Sequence, residues 1–333
     1  MGFSLSAHGS TRGSLPLSRR VRGIAFAILC ALSVGCDSAP AIRAGGAEGA
    51  RTGHAAADSS VSAIDDVGRE VRLAHPARRL ISLLPAGTET LFALGAGDRV
   101  VGRTRYDVDP RVARLPSVGG GLDPSLEAIL ALRPDLVLAF ETASTSKVRT
   151  RLEALGIPVY AIQTQDTTDI FRNVRVLGHL VGREEAADSV QRAIRAQLDS
   201  VRASVPRGPR PRVLYVASVD PPMMAGARSY IAELLGVAGA APVSPAVAGE
   251  AFWPQISLEA LIRQQPDVLM LPVGEDPTAS IDRLRAEPGW RDLRAVQEGR
   301  VAVVSADLMN RPGPNIGESA RRMREALDRV TKP

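Results

Sequence analysis

An internal repeat restricts the fold more than any other feature of this chain. Residues 125–138 read SLEAILALRPDLVL and residues 257–270 read SLEALIRQQPDVLM. Ser, Leu, Glu, Ala, Pro and Asp recur at the same six positions with a constant offset of 132. Each copy offers a helix-capping Ser, an amphipathic helix, a Pro-Asp turn and an apolar strand. Pro-Asp before a strand is common loop chemistry, but it does not explain the Ser-Leu-Glu-Ala that opens each helix. Two copies of one αβ unit predict two related α/β lobes. The apolar run Val213–Ser218 stands at the same offset from Ile81 in the first half.

The rest of the chain from Ile64 agrees with that reading. Asp66-Val67-Gly68-Arg69 predicts a turn before a small strand at Glu70–Leu73, and Arg79–Leu84 predicts a buried strand ended by Pro85-Ala86-Gly87. Thr88 is the expected cap of the next helix, which Gly95 and Gly97 close, and Val100-Val101-Gly102 begins another strand. Such alternation implies parallel sheets covered by helices. Phe171, Val174, Leu177 and Val181 form one apolar stripe, and Val190, Ile194, Leu198 and Val201 form a second at helical spacing. The second segment, Arg183–Val205, has no internal Gly or Pro and spans roughly 33 Å. Pro206-Arg207-Gly208-Pro209 ends it. The expected fold class is α/β, with two Rossmann-like lobes with parallel sheets (64–182 and 206–333) joined by a single long backbone helix (183–205). One helix, in place of several flexible crossings, predicts a stiff hinge with little closure.

Composition corrects a first impression of charge. The 333 residues are 45% hydrophobic and 23% charged, enough for two globular lobes, with a formal charge of +5. Four of the 41 basic residues (Arg12, Arg19, Arg20 and Arg22) lie in residues 1–36, which hold no acid. The remainder is nearly neutral, which argues against nucleic acid as a partner. The basic stretch precedes an apolar run, Ile24–Val34, too short for a stable membrane span. It ends Leu32-Ser33-Val34-Gly35-Cys36, which resembles a bacterial lipobox and would make Cys36 the lipidated N-terminus. The alternative is an ordinary signal peptide cleaved nearby, leaving a free thiol. Ser18-Arg19-Arg20 leaves both general and twin-arginine export open. Cys30 would leave with the signal, so the mature chain holds no disulfide. In enteric lipoproteins an Asp after the lipidated cysteine, here Asp37, implies retention at the inner membrane. Residues 37–63, rich in Ala, Gly and Ser, predict a flexible tether. A membrane-held body working in water, on the extracytoplasmic side, is the expected arrangement.

Catalytic signatures are missing: no G-x-S-x-G elbow, P-loop, H-E-x-x-H or dinucleotide fingerprint occurs, and no cofactor is expected. Gly119-Gly120-Gly121 reads as a flexible turn. His54, His75 and His179 are too scattered for a three-histidine metal site. Glu127 and Glu259 occupy the first turn of the repeated helix in each lobe. Each alone is explained by the helix dipole, whereas the symmetric pair suits a two-fold partner presenting arginines. Aromatics make up only 4% of the chain, so their placement is informative. Phe252-Trp253-Pro254 precedes the second repeat helix, Tyr106 follows the strand at Val100, and Pro85 follows the strand at Ile81. Pro221-Pro222-Met223-Met224 adds apolar surface after the strand at Val213, and Arg311 follows the strand Val301–Ser305. Loops at that end of parallel strands are where open α/β sheets bind ligands. Singly each of these residues is as readily a packing residue; together they form an apolar rim with one cation. Trp290 reads as a packing residue.

With these residues assembled, the chain resembles the substrate-binding proteins of ABC importers for cobalamin, iron–siderophore and haem, most closely the cobalamin-binding branch. The carrying stretches are Arg79–Leu94, Gly95–Tyr106, Val118–Leu138, Trp253–Met270 and Arg311–Ser319. The resemblance implies a monomeric, non-enzymatic carrier that holds a corrinoid or other metal chelate between its lobes. It also implies one glutamate per lobe, Glu127 and Glu259, docking on arginines of a permease dimer. Trp253 is then the leading ligand contact, followed by Tyr106, with Pro85, Met224, Phe252 and Arg311 as further candidates. Where that branch carries a tryptophan ahead of the first repeat helix, this chain has the three glycines. Arg103, Arg105 and Arg311 would suit a siderophore, and Tyr106 a haem. A chelatase-like enzyme and a ligand sensor on the same fold are the remaining alternatives.

Overall fold

The computed structural model describes residues 60–142, 145–244, 249–274 and 276–331. Cys36, the apolar run before it, His54 and most of the expected tether lie outside the described residues.

A hairpin of β1 (Val61–Ile64) and β2 (Glu70–Leu73) leads into the first lobe. The tether was expected to reach residue 63, but the pattern Val-Ser-Ala-Ile pairs antiparallel with β2 instead. Gly68, at φ 80°, makes the turn, and the Asp65 carboxylate accepts the N–H groups of Val67 (3.1 Å) and Arg69 (2.8 Å). Then follow β3 (Leu80–Ser82), α1 (Pro85–Ala93), β4 (Val100–Gly102), α2 (Leu126–Ala131), β5 (Leu136–Phe140), α3 (Thr145–Ala154), β6 (Val159–Ile162) and α4 (Thr167–Leu180). Their parallel sheet has the order β4-β3-β5-β6. Thr88 does not cap α1. Pro85 already starts the helix, where its missing N–H has no helical partner to lose, and Thr88 is buried one turn in.

Helix α5 (Glu184–Ser204) crosses to the second lobe. That lobe comprises β7 (Arg212–Val219), β8 (Pro222–Met224), α6 (Tyr230–Val237), β9 (Ala241–Pro242), α7 (Leu258–Gln264), β10 (Val268–Val273), α8 (Pro277–Ala286), α9 (Arg294–Gln297), β11 (Val301–Ser305), α10 (Ala306–Met309) and α11 (Ile316–Thr331). Its sheet runs β11-β10-β7-β8, with β9 also on β7, and β8 is antiparallel.

The repeat is a repeat of geometry. Ser125 and Ser257 each cap their helix through the N–H three residues on, at 3.2 Å in both copies. Both helices end in a left-handed non-glycine residue, Arg133 (φ 45°) and Gln265 (φ 40°). A side-chain lock holds each one. The Asp135 carboxylate accepts the N–H groups of Arg78 and Arg79 at 2.9 Å, while the Arg79 guanidinium donates to the carbonyls of Leu132 and Arg133. Asp267 accepts the N–H of Arg212 at 2.8 Å, and Arg212 donates to the Gln265 carbonyl at 3.1 Å. Pairing of Leu80 with Leu136 and of Val213 with Val268 puts the first strands 133 residues apart and the second strands 132. The equivalent of Ile81 is therefore Leu214, one residue beyond the position the repeat predicts.

Alternation along the strands sorts side chains into layers. Leu136 and Leu138 face one core while Val137 and Ala139 face another; Val268 and Met270 alternate likewise with Leu269 and Leu271. The inner faces of both sheets join one continuous cluster, which Ile194, Leu198 and Val201 of α5 share. Helix α5 packs against α4 on one side and against α11 and α6 on the other. Trp290, only 1% exposed, fills the outer core of the second lobe, as its expected packing role requires.

Candidate ligand-binding cleft

The C-terminal strand ends of both sheets carry the residues singled out above. In the first lobe the loop after β4 presents Tyr106, 58% exposed, and Val108, 60% exposed. Leu122, ahead of α2, is 57% exposed, and Phe140, the last residue of β5, is 43% exposed. These four are most of the large hydrophobic side chains left open among the described residues. Because β4, β3 and β5 are neighbours, the end of β5 lies about 10 Å, at the usual strand spacing, from the end of β4 where the Tyr106 loop departs.

The three glycines beside this patch form a packed turn, not a flexible one. Gly119 has φ 94°, a Cβ on Gly121 would collide with the Leu83 carbonyl, and one on Gly120 would collide with Asp123. Arg105 pairs with Asp123, closing the turn, and its guanidinium lies 5.5 Å from the centre of the Tyr106 ring.

The second lobe builds its wall differently. The Met224 N–H donates to the Pro254 carbonyl (3.1 Å), the Gly226 N–H to that of Phe252 (2.8 Å), and the Ile256 N–H to that of Pro222 (3.1 Å). Residues 252–256 thus run as an added edge along β8. Phe252 is half-buried with Arg228 5.4 Å from its ring, and Arg228 in turn pairs with Glu250 at 2.6 Å. Trp253, also half-buried, meets Tyr230 edge to face, with centroids 5.8 Å apart and planes at 68°. Met224 was expected at this rim. It is instead fully buried, because β8 pairs with β7 and turns Met224 into the outer core, leaving Met223 half-buried.

At the junction between the walls, Pro85 opens α1, and the Ala86 carbonyl lies 3.4 Å from where a Cβ of Gly313 would stand. Arg311, expected as an available cation, is already engaged. Its guanidinium meets Glu89 of α1 at 3.1 Å and Asp307 at 3.2 Å, with 15% of the side chain exposed. Asn315 also donates to Glu89, at 2.8 Å. Nearby Arg111 pairs with Asp109 and lies 4.0 Å from the Phe92 ring. Arg103, half-buried, donates to the Thr104 carbonyl at 3.0 Å. A 420 Å³ hollow lies here, between Val108, Arg111, Arg311 and Asn315.

Glu127 and Glu259 are both exposed in the first turns of α2 and α7. The backbone N–H of Glu259 and the Ser257 hydroxyl hold the Glu259 carboxyl below its ordinary value, so it stays ionised. His179 is exposed beside Glu184, and His75 bonds its neighbour's carbonyl. Among the described residues no cluster of three His, Cys, Asp or Glu is placed to hold a metal ion. The sequence reading missed Val108, Leu122 and Phe140. The signal that marks Phe140 was present: it is the last apolar residue before a polar loop, at the ligand-binding end of a parallel strand.

Comparison with known proteins points one way. A family model described as periplasmic binding protein matches residues 80–308. The chain is 28% identical over 273 residues to an uncharacterized ABC transporter substrate-binding lipoprotein, YvrC, of Bacillus subtilis; the match spans 79% of this chain and 84% of that protein. It is 30% identical over 241 residues to a vitamin B12-binding protein of Vibrio cholerae, across 72% of this chain and 85% of the other. The fold matches the crystal structure of a periplasmic heme binding protein from Pseudomonas aeruginosa with a TM-score of 0.66 at 26% identity, covering 77% and 95% of the two chains. The resemblance read from the sequence and these matches agree.

Proposed function

The chain belongs to the periplasmic binding protein family, and on that premise we propose that it captures a corrinoid between its lobes and delivers it to an ABC importer. The observation that carries this reading is an apolar surface on each lobe beside a rim whose charges are spent. Tyr106, Leu122 and Phe140 are exposed on the first lobe, and Trp253 and Phe252 are half-buried on the second, surfaces suited to a broad ring system. Meanwhile Arg105, Arg111, Arg228 and Arg311 each already face a carboxylate. Placing an anionic chelate against these arginines would break existing pairs, whereas an amide-bearing corrin ring leaves them intact. The names of the Bacillus and Vibrio relatives support transport and corrinoid capture, respectively.

In this reading Cys36 carries a lipid, residues 37–59 tether the body outside the inner membrane, and the protein works as a monomer without catalysis. Glu127 and Glu259 dock on arginines of the permease dimer, one per lobe. A haem ligand is the second reading, favoured by the exposed Tyr106 at the rim and by the likeness to the Pseudomonas protein. Titration of the purified protein with cyanocobalamin, haemin and a ferric hydroxamate separates these possibilities. One-to-one binding of cyanocobalamin, at least 100-fold tighter than the others, is expected. Preference for haemin would transfer the site to the second reading, and no binding of any of the three would remove the carrier function.

A further inference from the structure

Trp253 owes its place in the second wall to an unusually constrained neighbour. Its backbone is fixed on both sides, because the carbonyls of Phe252 and Pro254 accept the N–H groups of Gly226 and Met224. The half-buried indole packs against the continuous core, and its aromatic contact is Tyr230. Tyr230 is only 5% exposed and is anchored at three points. Its N–H donates to the Gln165 carbonyl of the first lobe at 2.8 Å, its hydroxyl donates to the Met309 carbonyl at 2.7 Å, and Ser229 before it caps α6. Ser229 is wholly buried, and its hydroxyl donates at 2.8 Å to the carbonyl of Gly226, the residue whose N–H holds Phe252. Gly226 has no room for a side chain, since a Cβ would collide with the Ala251 carbonyl.

From this arrangement we infer that Tyr230 is the positioning residue of the ligand wall: its ring edge presets the Trp253 indole, on the reading that Trp253 contacts the cargo. A buried phenol with its hydroxyl bonded has one rotamer to offer, and the indole takes its orientation from it. The ligand then meets a ring already in place, so binding loses little side-chain freedom at that position. The Met309 bond also places the ring relative to Arg311 and its Glu89 partner, two residues further along.

The chain has two tryptophans, so in a W290F background Trp253 reports alone. Acrylamide quenching and anisotropy of Trp253 are measured without ligand, and affinity is measured with cyanocobalamin. Y230F keeps the ring and is expected to leave quenching unchanged and affinity within twofold. Y230M fills similar volume without a ring edge; it is expected to double the quenching constant, lower the anisotropy and weaken cyanocobalamin roughly 10-fold. Y230L carries the same expectation should Y230M fail to fold. Leu152→Ala, buried in the outer core of the first lobe, a cluster that includes neither Tyr230 nor Trp253, is expected to lower the melting temperature while leaving both Trp253 signals alone. If Leu152→Ala moves the Trp253 signals as far as Y230M does, or Y230M leaves them unmoved, Tyr230 is packing only. Failure of the parent protein to bind cyanocobalamin would overturn the proposed function; the ligand-free quenching comparison would still decide the role of Tyr230.

Discussion

The two lobes share a frame and differ at the rim. In both, a serine caps a short helix, a glutamate follows in its first turn, and an Arg–Asp lock holds a left-handed residue before the next strand. Past the strand ends the likeness stops. The first lobe leaves apolar side chains open to solvent in the loop after β4, ahead of α2 and at the end of β5. The second adds β8 and the 252–256 edge, which swallow Met224 and hold Trp253 against Tyr230. The shared portion suits a task performed identically by both lobes, such as meeting a two-fold permease. The unshared portion suits a ligand whose two faces differ.

That division can be broken experimentally. The largest effect is expected from Glu127→Ala combined with Glu259→Ala. Uptake by the reconstituted transporter should fall to background while cyanocobalamin affinity stays unchanged; retained uptake would return both residues to helix-dipole duty. Next comes the lock. Asp135→Ala and Asp267→Ala should each cost about 1 kcal/mol in urea unfolding, by removing the carboxylate that accepts the exposed N–H groups of Arg78 and Arg79 or of Arg212. Losses that differ severalfold between lobes would show that the shared frame is shared in sequence alone.

A smaller effect tests the rim. Because Leu122 and Phe140 are exposed, L122S with F140S should leave the melting temperature unchanged yet weaken cyanocobalamin roughly 10-fold, from lost apolar contact. An equal affinity would detach these residues from the ligand wall.

The smallest expected effect concerns the hairpin of the first lobe, which the second lacks. Burial pushes the Asp66 carboxyl above its ordinary value, against the pull of the Gln163 N–H and of Arg172. A raised folded-state pKa means that the fold favours the neutral acid. Its stabilising contribution is complete below the unfolded value and disappears as pH rises through the folded one. The melting temperature of the parent relative to D66N should therefore rise on acidification from pH 6.5 to 4, and a falling difference would refute this assignment.

Much of the frame was legible because it is local. The repeat, the apolar strand that closes each copy of it and the span of α5 follow from periodicity and from Pro and Gly punctuation within a few residues. The rim was less legible because its determinants are distant. Nothing near Arg311 announces that Glu89, 222 residues away, neutralises it. Pro221-Pro222 reads as a loop, since proline cannot donate along a ladder, yet Pro222–Met224 forms an edge strand. Once that edge exists, Met224 must face inward. Val61–Ile64 escaped notice because Val61 and Ala63 are only half-buried and Ser62 and Ile64 are exposed.

The position of α5 bears on the economy of delivery. A spine seated in the same core as both sheets favours one fixed arrangement of the lobes. A loaded molecule then holds its cargo for as long as the contacts at the two walls endure, and unloading waits on an outside lever. A permease engaging Glu127 and Glu259, as proposed, would be that lever, and the residence time of cargo away from the membrane and its discharge at the membrane would then be tuned by separate sets of residues.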